Sequence, residues 1–112
     1  MRFKKIEFGV HAAEASGARA RVSGRCYSGP IDVGDVFSAV YELVVQPKGE
    51  EYGPSLRSKS QLVDIEVKAI TAYGRSLSTL DTGMTAELLL SGNGIDAIKP
   101  GYTLGYSIGD TE

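Results

Sequence analysis

The side chains with chemistry to offer are few, and they sit far apart in the sequence. Asp81-Thr82-Gly83 lies within STLDTGMTAELLLSG, residues 78–92. A carboxylate in that setting can share a proton with a second carboxylate about 3 Å away and activate water toward a peptide bond. A single such tripeptide would need a second subunit to supply the partner. The apolar run LLLSG follows within a few residues, leaving too little chain for a substrate wall and flap. Asp and Gly are also ordinary turn residues, so a turn entering a strand is the favoured reading. Asp32 and Asp35 are near neighbours that could act as acid and base, but aspartates beside Gly34 cap turns. Cys26 and His11 are the types that form a nucleophile and base. Cys26 sits in an alternating stretch and reads as a small strand residue. Glu50 and Glu51 are expected in solvent. No catalytic residue is expected. One cysteine and one histidine exclude Cys-rich zinc sites, and no close-spaced carboxylate cluster is present, so neither a metal nor a cofactor is expected.

The elements that must carry these residues are strands. GARARVSGRCY places Ala18, Ala20 and Val22 on one face and Arg19, Arg21 and Ser23 on the other, the period of a half-buried strand. VFSAVYELVV, residues 36–45, is rich in β-branched and aromatic residues. LVDIEVKAI points Val63, Ile65, Val67 and Ala69 inward, and TAELLLSG does the same with Ala86, Leu88 and Leu90. Gly29-Pro30, Gly34-Asp35, Tyr73-Gly74 and Pro100-Gly101 punctuate them as turns, and a last short strand is expected over 102–108. VHAAEASG is the one helical candidate. Residues 46–61, QPKGEEYGPSLRSKSQ, read as a long polar loop broken by Pro47, Gly49, Gly53 and Pro54.

A chain of 112 residues with 42% apolar content fits one domain, 1–112. Strands spaced by glycine turns predict an all-β fold: a small closed or partly closed antiparallel β-barrel of six or seven strands. The net charge of −2 disfavours nucleic acid as partner, although Arg19, Arg21 and Arg25 form a local basic stripe. MRFKKIEFGV has no apolar run long enough for a secretory signal, and no segment reaches the ~20 apolar residues of a membrane span. A cytoplasmic location and no membrane partner are expected.

With the strands placed, GARARVSGRCYSGPIDVGDVF resembles the start of the second domain, domain II, of elongation-factor-type translational GTPases. Gly24, Arg25, Gly29, Ile31, Val33, Gly34 and Asp35 meet that pattern, as do Gly83 before a strand and Ile98, Gly101 and Leu104 after it. The similarity spans about residues 6–108. It implies a translation-factor domain-II-like barrel, here as a stand-alone domain, without the Gly-x-x-x-x-Gly-Lys-Ser/Thr phosphate loop of the GTPase. It further implies an apolar seat for an adenine ring at Gly29, Ile31, Val33 and Leu89. Met84 and Thr85 depart from the family's polar residues beside that seat.

The function expected is a non-catalytic binding module, regulatory or protein-binding, with another protein as partner and the oligomeric state open. Surface contacts are expected at Arg19, Arg21, Arg25, Tyr52, Tyr102 and Tyr106. The alternatives are an immunity or inhibitor protein that neutralises a toxin or enzyme, an RNA or tRNA-end binder, and a dimeric aspartic protease built on Asp81.

Overall fold

The computed structural model describes the backbone of residues 5–48 and 51–106, and side chains except for 44–48 and 51–56. Its strands are β1 (Glu7–Ser16), β2 (Arg19–Ser28), β3 (Ile31–Asp32), β4 (Val36–Lys48), β5 (Glu51–Ala72), β6 (Arg75–Leu77), β7 (Thr79–Leu80), β8 (Thr85–Asn93) and β9 (Thr103–Gly105). One turn of 3-10 helix, Ile95–Ala97, links β8 to β9, and there is no α-helix among the described residues. The main sheet runs β4-β9-β1-β2-β8-β5, and β5 closes it by pairing with β4. All pairings are antiparallel. The result is the closed six-stranded barrel expected from the alternation, with β6 added on β5 and β3–β7 forming a separate ribbon.

Closure follows from side-chain alternation. Ala20, Val22 and Cys26 of β2, Phe37 and Val40 of β4, and Ala86, Leu88 and Leu90 of β8 all turn into one core. Each fully buried Leu, Ile or Phe stabilises the fold by about 1.5–3 kcal/mol relative to exposure. Ile31 and Leu80 carry the small ribbon into the same core. Gly24 permits the tight seam: a Cβ there would overlap the Gly9 carbonyl of the neighbouring strand.

Some expectations change. VHAAEASG is not helical; it forms β1, because pairing with β2 outweighs the weak helix preference of its alanines. The polar stretch 46–61 is not a loop. All of it except residues 49–50 lies in β4 and β5, which pair as far as Lys48 and Glu51. Backbone pairing across the β4–β5 register, not side-chain polarity, sets this stretch as strand. Proline is tolerated where its missing N–H needs no ladder partner. In β5 the inward alternation slips at a register shift between Val67 and Ala69, so Ile70 is buried in place of Ala69. The last strand is shorter than expected, Thr103–Gly105, and 107–108 lie outside the described residues.

One polar cluster enters the wall. The buried Tyr41 hydroxyl donates to Glu7 and accepts from Arg57 Nη2 at 3.0 Å. Arg57 also donates to the Tyr106 carbonyl and lies 3.6 Å from the Glu7 carboxylate. Gly105 leaves the space that the Tyr41 ring fills.

Candidate binding groove

A groove of about 610 Å3 opens on the outer face of the barrel across β1, β2, β8 and the end of β5. Its floor is made by backbone. Gly9 and Gly24 line it without side chains, and a Cβ on Gly9 would run into the Tyr27 ring. The hydroxyl end of the Tyr27 ring therefore lies over Gly9 of β1, and the residue remains 50% exposed. Opposite, β5 and β6 are joined by the two-residue turn Tyr73-Gly74, closed by the Ala72–Arg75 pair. Both turn residues have positive φ, 53° and 73°. This is the backbone of a type I′ turn, where Asn, Asp or Gly is the usual first residue. Tyr73 instead holds that conformation while 81% exposed.

Polar residues from neighbouring strands complete the lining: Ser23, Thr71, Thr85, His11, Arg25 and Glu87. Arg25 donates its Nε–H to the Gly83 carbonyl at 3.2 Å, which orients the guanidinium along the β8 entrance. Glu87 lies 3.8 Å from Arg21, an exposed pair of small energetic weight. The groove thus offers two exposed rings, hydroxyls and both signs of charge. No group of His, Cys, Asp and Glu suited to a metal occurs among the described residues.

Asp81-Thr82-Gly83 is a turn. The Met84 amide donates to the Asp81 carbonyl at 3.1 Å, Gly83 takes φ 91°, and the Gly83 amide donates to the Cys26 carbonyl. Thr82 accepts the Gly29 amide at 2.8 Å, and Asp81 is exposed. Asp32 accepts from the Thr79 hydroxyl, and Asp35 accepts the Asp32 amide, so this pair holds the β3–β4 turn. Cys26 is buried, with its thiol pushed up from the usual range chiefly by burial.

The residues expected for an adenine seat do not converge. Ile31 is fully buried, so it belongs to the core and cannot form an open seat. Gly29 is spent on the Thr82 turn, and Val33 is exposed beside it. Leu89 lies on the outer face of β8 between Arg21 and Ala69, in smaller grooves that hold none of the other three. Of the expected surface contacts, Arg19, Arg21 and Arg25 are exposed on the outer face of β2. Tyr52 has its side chain outside the described residues. Tyr102 packs partly against the core, and Tyr106 is committed to Arg57, so neither presents a free ring. Gly9, Tyr27 and Tyr73 carry no chemical motif, and sequence reasoning does not reach them as a group. The one signal in the chain is Tyr73-Gly74, a two-residue turn between strands whose first position needs positive φ.

No family model and no curated protein matches the chain. Among solved structures, the apo form of translation elongation factor SelB from Methanococcus maripaludis matches with a TM-score of 0.63 at 17% identity. The match covers 96% of this chain but only 20% of the SelB chain. The chain is therefore similar in fold to a barrel of a translation elongation factor, in agreement with the domain-II-like architecture expected from its glycine and apolar pattern.

Proposed function

We propose that this barrel is a non-catalytic binding module that takes a segment of another protein into the groove between Tyr27 and Tyr73. The observation supporting this reading is Tyr73. It occupies a left-handed turn position that costs a non-glycine residue on the order of 1 kcal/mol, and its ring is left in solvent. Neither turn geometry nor core packing rewards tyrosine there. A ring waiting to be covered by a ligand does, and exposed tyrosines are favoured anchors in protein interfaces. The likeness to SelB supports the barrel architecture on which this reading is built. A regulatory or inhibitor protein would use the same groove, and the single unpaired Cys26 suits the reducing conditions of a cytoplasm.

The test is selection of peptides from a random library on the full chain, with counter-selection on a Tyr27→Ala/Tyr73→Gly variant. Selected peptides should bind the variant at least about tenfold more weakly, the loss expected for removal of two aromatic anchors. Enrichment that ignores both tyrosines would overturn the reading. So would an oligonucleotide that perturbs the groove amides at low salt while no peptide does, which would favour the RNA-end alternative.

A further inference from the structure

β1 has two edges, and only one is paired along its length. β2 accompanies it from Glu7 to Ser16. On the other side β9 meets Phe8 and Gly9, and Val10 exchanges hydrogen bonds with Gly101 and Tyr102. From His11 to Ser16 no strand lies on that side among the described residues. A register shift between Val10 and Ala12 marks where β1 leaves the seam with β9.

An unpaired strand edge is a row of free N–H and C=O groups and a ready template for another strand. Proteins usually blunt such edges with lysine, proline or bulky charge. HAAEAS has no lysine and no proline; Glu14 is its one carboxylate, the register shift lies at its start, and Ala12, Ala13 and Ala15 are small enough for close approach of a second backbone. The charges beside it are ordered. Glu14 stands opposite Arg21 and Ser16 opposite Arg19 across the β1–β2 pair. Arg21 already faces Glu87, whereas Arg19 has no ion pair among the described residues. A strand laid antiparallel along β1 would meet a free cation near Ser16 and a carboxylate at Glu14.

We propose that the His11–Ser16 edge receives an extended antiparallel segment of another protein, with a carboxylate opposite Ser16 and a cation opposite Glu14. Main-chain hydrogen bonds supply the attraction and the two charges set the register, as in strand addition generally. The proposal shares with the groove reading the idea of a protein partner, but it concerns a separate surface; His11 is the one edge residue that also lines the groove.

The experiment is an NMR titration of the full 15N-labelled chain with the blocked peptide Thr-Glu-Val-Lys-Val-Thr-Val and its charge-swapped form Thr-Lys-Val-Glu-Val-Thr-Val. The first should shift the amides of His11–Ser16 and slow their hydrogen exchange. The swapped peptide should bind about threefold or more weakly, because two cross-strand attractions become repulsions. Glu14→Gln should narrow that ratio, and N-methylation of alternate peptide amides should abolish the shifts. Unperturbed edge amides, equal affinity for the two peptides, or insensitivity to N-methylation would overturn the proposal. Edge shifts that grow with protein concentration without peptide would overturn it in favour of a second copy of the chain. Shifts confined to Tyr27 and Tyr73 would sink the edge while leaving the groove reading intact.

Discussion

The guanidinium carbon of Arg57 lies 3.8 Å from the centroid of the Tyr41 ring, and the Tyr106 ring lies 4.6 Å from the same carbon. Arg57 is thus held between two aromatic faces while it bonds the Tyr41 hydroxyl and the Tyr106 carbonyl. It joins β5, β4 and the end of β9, with Glu7 of β1 balancing its charge. The planar cation can stack and donate in its plane at once, which an ammonium cannot.

Arg57→Ala should therefore destabilise the barrel by about 2–4 kcal/mol, since it strands the Glu7 carboxylate beside a buried phenol. Arg57→Lys keeps the charge but loses the stack and the fork, and should recover less than half of that loss. Urea unfolding followed by circular dichroism measures both.

Tyr41 gives the fold an alkaline limit. Burial first, and then the hydrogen bond and charge of Glu7, raise its hydroxyl above the ordinary phenol range. The folded state therefore keeps a proton that the unfolded chain releases near pH 10. That contribution is fully present below about pH 10 and shrinks as pH rises further. The decline in stability above about pH 10 should be visibly shallower in Tyr41→Phe, as read from unfolding midpoints across that range.

Tyr73→Asn should stabilise the protein by about 1 kcal/mol, because asparagine tolerates the left-handed conformation of a type I′ turn. The same change should weaken peptides selected on the groove. A variant that loses stability, or gains it without losing binding, would mean that Tyr73 is not kept for a ligand.

Cys26 should resist alkylation in the folded protein. Its burial and raised thiol both suppress the reactive thiolate. Iodoacetamide at about pH 8 should label it only after denaturant is added.

Asp81→Asn should change stability by less than about 0.5 kcal/mol, since Asp81 is exposed and contributes its carbonyl to the turn. Thr82→Ala should cost more, about 1 kcal/mol, through the lost bond to the Gly29 amide. Thermal melts of the two variants decide the order.

Much of the barrel is legible in the chain itself. Alternation in β2 and β8 assigns Ala20, Val22, Leu88 and Leu90 to the core, and the glycines at 34, 74, 83 and 101 mark turns that need positive φ. These are local properties: a period of two selects a face, and a missing Cβ permits a backbone angle. Nothing local reveals that the polar residues after Gln46 pair as a ribbon, because that pairing is made across the β4–β5 register rather than within either segment. The same holds for the register shift that buries Ile70 in place of Ala69, and for Ile31, which the β3–β7 ribbon carries into the core. The groove depends on a still longer range. Gly9, Tyr27 and Tyr73 come from three elements, and only closure of the barrel brings them to one face. Near neighbours along the backbone account for the turns and for the inward faces of β2 and β8, but not for Ile31 or for the slip in β5. Which outward residues share a surface follows instead from strand order and register, contacts that no single segment of the chain carries.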